Sequence, residues 1–364
     1  MTTKQSFLVG TRRKGALVLF LGLGTLVPAI VTVTTFDAPG AGTSSGQGTF
    51  AADIVNSGVI QGIYADASNV AHGFLRARDG TISSFDIPGA QGTFPEALSS
   101  AGTSVGFYVG GSDTFHGFRR SSVGTVTTID VAAAGSSIGQ GTLAGNINAS
   151  GEIAGFYIDA TYAMHGFVRA SDGTVVTFDA PGAGSGIGQG TVIPFFSCLN
   201  ERGEITGTYI DTNGLNHGFV RAADGDLATF DAPGAGTVPG QGTLAAGINS
   251  NGTIVGFFVD QISRPHGFLR ASDGTLTAFD VPGSVGTLPD YITSGGEITG
   301  NYFSEGTVSH GFVRSHTGAV ITFDAPGAGK TPGNGTTPTS EDSSGAIVGF
   351  YLDDNSVAHG FVRP

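Results

Sequence analysis

One short motif recurs seven times in this chain and constrains its fold more than any other feature. His-Gly-Phe begins at His72, His116, His165, His217, His266, His310 and His359, and an Arg stands four residues after each His, at Arg76, Arg120, Arg169, Arg221, Arg270, Arg314 and Arg363. The spacings are 44, 49, 52, 49, 44 and 49 residues. A unit of roughly 40–50 residues that reads as strands cannot bury its apolar faces alone, so copies must stack, and the propeller blade is the commonest such unit.

The fifth copy shows how the unit is built. Thr243 to Asn249 reads as a first strand, Ser250-Asn251-Gly252 as a tight turn, Thr253 to Val259 as a second strand and Asp260 to Pro265 as a longer loop. His266 to Ala271 is a third strand, Ser272-Asp273-Gly274 a turn, and Thr275 to Phe279 a fourth strand ending at Asp280. Asn-Gly and Asp-Gly supply the positive φ that hairpin turns need. The 62 glycines therefore mark turns rather than disorder, because 39% of the residues are hydrophobic and can fill a core.

The fourth strand ends in Phe-Asp-x-Pro-Gly at Phe36, Phe85, Phe178, Phe230, Phe279 and Phe323, with Ile129-Asp130 in the remaining copy. The first of these precedes any first strand, while the chain stops at Arg363-Pro364, just after a third strand. The economical solution is a displaced strand. The expected fold is all-β, a seven-bladed β-propeller of four-stranded antiparallel blades whose ring is closed by the N-terminal strand, which removes the open edges. A linear solenoid is the alternative, and it leaves the displaced strand unexplained.

Residues 1–29 differ from the rest. Lys4, Arg12, Arg13 and Lys14 precede an apolar run from Ala16 to Val31, and Val27-Pro28-Ala29 offers a cleavage site. The layout is that of a signal peptide over 1–29, and the run is short against the roughly 20 residues of a membrane span. The propeller then occupies 30–364, with 30–37 completing the last blade. The expected localisation is secreted or periplasmic, the alternative being an uncleaved anchor, and no membrane span remains after signal removal. The formal net charge is −13; without the four basic residues of the leader, 12 basic residues face 29 acidic ones, giving −17. Such a surface excludes nucleic acid and anionic membranes as partners. The single cysteine, Cys198, lies in an apolar stretch and reads as a core residue.

The unit resembles the HAF repeats of extracellular bacterial proteins. In that family an Asn-x-x-Gly turn leads into a Gly-x-x-x-Gly strand and then a His-Ala-Phe triplet. Here Asn148 and Gly151 lead to Gly155 and His165-Gly166-Phe167, and Asn249, Gly252, Gly256 and His266-Gly267-Phe268 repeat the pattern. Gly replaces Ala in the triplet, and Arg stands where an aromatic residue follows in the family. The resemblance covers nearly all of the mature chain and implies an exported repeat protein; it supplies no active site. The chain has no Trp, so the diagnostic residues of the WD and kelch propellers are absent.

In a four-stranded meander alternate connections lie on opposite faces. One face gathers the loops between second and third strands and the crossings between blades. There lie Asp66, Asp159, Asp211, Asp260 and Asp353 at the ends of second strands, with Tyr162 nearby, and these are the candidate ligand-binding residues on loops of a rigid scaffold. The seven motif histidines and Asp37, Asp86, Asp130, Asp179, Asp231, Asp280 and Asp324 at the ends of fourth strands read as structural, the Asp capping the following turn. The seven Arg are expected to neutralise partly buried Asp carboxylates between blades. The Tyr of the second strands reads as core, a sugar-stacking platform being the functional alternative.

No catalytic residues, metal ligands or cofactor are assigned. Gly42 to Gly46 and Gly135 to Gly139 fit Gly-x-Ser-x-Gly without a following helix, and Gly329-Lys330-Thr331 lacks the earlier Gly of a phosphate loop. The leading function is a binding or interaction scaffold for an unknown cell-surface polymer, glycan or protein. A hydrolase or lyase working at the ring centre, and a purely structural envelope component, are the alternatives. An enzyme needs asymmetry, and few titratable groups break the repeat: Glu96, Glu201, Arg202, Glu305, Lys330 and Glu341.

Overall fold

A computed structural model describes residues 32–195 and 197–364. The expected signal peptide falls outside the described residues. Among the described residues there are 28 strands and no helix, and hence no helix long and apolar enough to cross a membrane. β1 is Thr34–Phe36, β2 Gly48–Ile54, β3 Ile60–Ala65, β4 Ala71–Arg76 and β5 Ile82–Phe85. β2 to β5 pair antiparallel in sequence order and form unit 1. The same meander recurs over 92–129, 141–178, 190–230, 242–279 and 286–323, here units 2 to 6. Unit 7 has three strands of its own over 335–363, and its fourth partner is β1: Thr34, Thr35 and Phe36 pair with Val362, Phe361 and Gly360.

The repeat follows from a few side chains per unit. The Phe of His-Gly-Phe is fully buried in every copy, from Phe74 to Phe361. The Gly before it has to be Gly where the ring of the fourth-strand Phe lies across it: a Cβ at Gly73 would stand 2.8 Å from the Phe85 ring. The second residue of each first strand is a fully buried Thr whose hydroxyl accepts the N–H of the residue after the fourth-strand Asp, as Thr49 does from Ala38 at 2.9 Å and Thr243 from Ala232 at 2.9 Å. That bond ties each crossing to the unit it enters and satisfies a buried N–H.

The crossings come in two lengths, and the structure gives the difference a meaning. In the five long ones, Gly48, Gly141, Gly190, Gly242 and Gly335 have φ from +111° to +127° and bridge, in parallel, to the residue before the His of the preceding unit, as Gly48 does to Ala358. A Cβ there would stand about 2.0 Å from that residue's carbonyl oxygen, so only Gly fits. In the two short crossings, at Gly92 and Gly286, the bridge is absent, and sheet hydrogen bonding is interrupted at these two places.

Six apolar clusters each span one seam between neighbouring units. The seam between units 7 and 1 is one of them, with Val348, Ile60 and Phe74 in contact across it. There, too, the Thr339 hydroxyl donates to the Ala51 carbonyl at 3.1 Å and the Ser340 hydroxyl to the Asp53 carboxylate at 2.7 Å. The seam between units 1 and 2 carries none of the six. Gln61 stands where other units have Val, Ala or Thr, and Ser104 where they have Ile. Both are fully buried, and among the described residues the Gln61 amide and the Ser104 hydroxyl have no hydrogen-bond partner.

The Arg expectation is corrected. Among the described residues no Arg pairs with an Asp; the one Arg salt bridge joins Arg202 to Glu204. The guanidiniums instead lie over the fourth-strand Phe of the preceding unit, Arg76 over Phe36 at 4.8 Å, Arg120 over Phe85 at 4.4 Å and Arg314 over Phe279 at 4.7 Å. The sequence pattern showed the alternation His, Phe, Arg along one strand face but not that the neighbour would present a ring.

Candidate functional site

The His and Asp of the crossing face come together in every unit. His72 Nδ1 is 3.0 Å from Asp86 Oδ1, His165 Nδ1 2.9 Å from Asp179 Oδ1, and His359 Nδ1 2.9 Å from Asp37 Oδ1. The other ring nitrogen faces the Asp that ends the second strand, at 3.3 Å for His266 and Asp260 and 3.5 Å for His72 and Asp66. One face of each His ring is covered by the second-strand aromatic, Tyr64 on His72 at 4.9 Å between centroids and Phe258 on His266 at 5.1 Å. The imidazole therefore occupies the position a stacked sugar would take on that Tyr.

Each second-strand Asp is also a loop cap. Asp66 Oδ1 accepts the N–H groups of Ser68 and Val70 at 2.8 and 2.9 Å, and Asp159, Asp211, Asp260 and Asp353 repeat the arrangement. The Val70 N–H, before any other influence, holds the Asp66 carboxyl below the usual carboxylate range. These five Asp belong to the five units entered by long crossings. In unit 1 the crossing leans on the capped loop, its Gln47 side chain donating to the Ala67 carbonyl at 3.2 Å. Units 2 and 6, entered by short crossings, have Thr114 and Ser304 beside the His instead. Tyr162 is exposed, has φ +65° and donates its hydroxyl to the Ile138 carbonyl at 3.1 Å.

Exposed large apolar residues gather on the same face: Ile138, Ile187, Val238 and Val285 in crossings, and Tyr162 and Ile262 in the loops after second strands. Elsewhere Val123 is exposed in a turn between third and fourth strands on the opposite face, and Val175, Val176 and Ile321 on fourth strands.

A cavity of about 420 Å³ opens among the ends of the first strands and the turns that follow them, with all seven units contributing to its wall. Here the repeat is broken. Glu96, Glu201 and Glu341, three of the six asymmetric groups picked out in the sequence, line it. Asp53 and Tyr291, not singled out from the sequence, line it as well. Glu305 and Lys330 lie elsewhere, in a loop after a second strand and in a crossing. The missed residues sit at or beside a first-strand bulge, where the register shifts between Ala51 and Asp53 and between Pro289 and Tyr291. The available signal was positional: aligning the units puts Asp53, Asp290 and Tyr291 where units 3, 5 and 7 have Ala, Gly, Asn, Ser or Thr.

Burial pushes the Glu96 carboxyl up to about 8 and the Asp290 carboxyl up to about 7. Glu341 rises to about 7, through burial first and then the neighbouring Glu297, against a hydrogen bond from Thr299. Asp53 is raised by burial although it accepts N–H groups of Leu98 and Ile54 and the Ser340 hydroxyl. Cys198 packs in the seam between units 3 and 4, its thiol pushed up by burial and donating to the Ala246 carbonyl at 3.0 Å, as a core residue.

The sequence matches no protein-family model and no curated protein. Among solved structures it is similar to virginiamycin B lyase from Staphylococcus aureus, with a TM-score of 0.57 and 14% identity over 92% of this chain and 99% of that one. It is similar to the β-propeller domain of the Trilobed protease from Pyrococcus furiosus, with a TM-score of 0.55 and 9% identity over 86% and 95%. A lectin from Burkholderia pseudomallei gives a TM-score of 0.52 and 10% identity over 91% and 98%. At such identities the likeness speaks for the fold and not for chemistry. Together with the repeating four-stranded units, it makes this chain an all-β repeat protein with the β-propeller fold.

Proposed function

We propose that the chain is an exported seven-bladed β-propeller, closed by its N-terminal strand, that serves as a binding scaffold for a cell-surface glycan, polymer or protein. Closure is supported by β1 filling the fourth place in unit 7 and by the hydrogen bonds between units 7 and 1. The resemblance to HAF repeats supports export. The observation that carries the binding reading is the crossing face, where similar capped loops recur from unit to unit and exposed apolar side chains stand on several neighbouring units. Apolar residues gathered on solvent-facing loops mark docking surfaces, and equal weak contacts on one rigid body add through effective concentration. A lectin is among the proteins of similar fold.

Binding to an array of surface glycans and polymers tests the reading. Replacing Ile138, Ile187 and Ile262 by Asp is expected to abolish capture, while replacing Asp79, Asp172 and Asp273 on the opposite face by Asn leaves it intact. The reverse result would assign binding to the other face, and capture unchanged in both variants would remove the scaffold reading of these loops.

A further inference from the structure

We infer that the cavity at the first-strand ends is a binding site for one small organic cation, a protonated amine carried on an apolar body. The inference does not depend on the crossing face, which lies at the other end of the units.

The cavity joins two kinds of wall. One side carries Asp53 and Glu96 from units 1 and 2, with Tyr291 and Glu341 from units 6 and 7. The other carries Phe195 of unit 4, whose ring lies 5.6 Å from Phe107 and 5.8 Å from Phe156 between centroids. Gly145 makes room for that ring, since a Cβ there would stand 2.2 Å from it. Neither wall belongs to the repeat. The unit entered at Gly190 gives up the regular end of its first strand after Val192, and Phe195 follows in the irregular stretch.

Glu96 is the group the protein leaves unanswered. It is half-buried and lines the cavity. Among the described residues it has no hydrogen bond and no ion pair, whereas Asp53 accepts three hydrogen bonds and Glu341 one. A carboxyl that faces a cavity with no protein partner is free to answer a ligand, and such groups gather at sites. The missing partner is a donor of positive charge. Among the described residues no three metal-type ligands converge, which disfavours a bare divalent ion. An ammonium against carboxylates, with its apolar body on an aromatic wall, is the complement this cavity presents. A volume of about 420 Å³ is in the range of small-molecule pockets. An anionic ligand would find no Lys, Arg or His in this wall.

The test uses the full chain with benzylammonium, benzyl alcohol and benzoate, followed by calorimetry at low and moderate salt. Benzylammonium is expected to bind with one site per chain, at least about tenfold tighter than benzyl alcohol, with benzoate not binding. Glu96→Gln is expected to weaken benzylammonium by about tenfold or more while leaving benzyl alcohol unchanged. Should that variant fail to fold, Ala149→Trp, which fills the exposed rim and leaves the buried acids in place, is expected to abolish binding. Equal affinity for amine and alcohol, several equivalent amine sites, or full binding by Ala149→Trp would overturn the assignment.

Discussion

The guanidinium of Arg76 lies 4.8 Å from the ring centroid of Phe36, and the two residues come from opposite sides of one seam. Phe36 belongs to the strand that completes unit 7 and Arg76 to the third strand of unit 1. The same contact recurs at Arg221 with Phe178, Arg270 with Phe230 and Arg363 with Phe323. Arg169 is the internal control. The strand that precedes it ends in Ile129, so it has no ring beneath it. Arg76→Met keeps the stem and removes the charge, and is expected to cost about 1 kcal/mol in urea unfolding. Arg169→Met is expected to cost clearly less. Equal losses would show that the stem and not the cation–ring contact holds the seam.

Removing residues 30–37 takes away β1, the Asp37 partner of His359 and the Phe36 ring at once. It also exposes an edge along Ala358–Arg363. The midpoint of thermal unfolding is expected to fall by roughly 10 °C or more, well beyond the effect of removing residues 132–139 from a crossing. Equal midpoints for the two deletions would count against closure by this strand.

The seam between units 1 and 2 is built against the pattern of its neighbours. Gln61→Val together with Ser104→Ile restores what other units have there and is expected to raise stability by roughly 2 kcal/mol, since it removes unpartnered buried polar groups. A loss of stability would show that ordered water answers those groups.

Stability is expected to fall as pH rises through the neutral range. Glu96, Asp290 and Glu341 have carboxyls raised in the folded state to about 8, 7 and 7. A group raised on folding binds more protons folded than unfolded, so its contribution is complete below the unfolded value and is lost as pH climbs through the folded one. Glu341 also faces Glu297, Thr299 and Arg363, so its titration belongs to that group of residues. Asp66 and Asp260 act in the opposite sense, being lowered by the N–H groups of Val70 and Arg264, and their contribution is lost only in strong acid. The midpoint is expected to be about 5 °C higher at pH 5 than at pH 9. Glu96→Gln is expected to flatten that slope, and a slope unchanged by the substitution would show that Glu96 ionises freely.

Export is tested on the protein recovered outside the cytoplasm. Intact mass is expected to show cleavage after Ala29, leaving Ile30 at the N-terminus. Full-length chain held in the membrane fraction would favour the anchor.

The class of fold was legible in the sequence because a repeat states its own period. His-Gly-Phe, the Asn-x-x-Gly and Asp-Gly turns and the spare Phe36-Asp37 placed strands and turns by local chemistry, which needs no knowledge of neighbours. The sequence reads each fourth-strand Asp as capping the next turn; instead each lies beside the motif His, and the N–H that follows it goes to a first-strand Thr, a choice made by neighbouring strands. The partner of each Arg was not legible, because choosing between a carboxylate and a ring depends on which side chain the adjacent unit presents across a seam. Nor was the cavity. Glu96 and Glu341 stood out as breaks in the repeat and Asp53 and Tyr291 did not, but the four are far apart in sequence; only the stacking of all seven units turns their first-strand ends toward one space, where burial alters their chemistry.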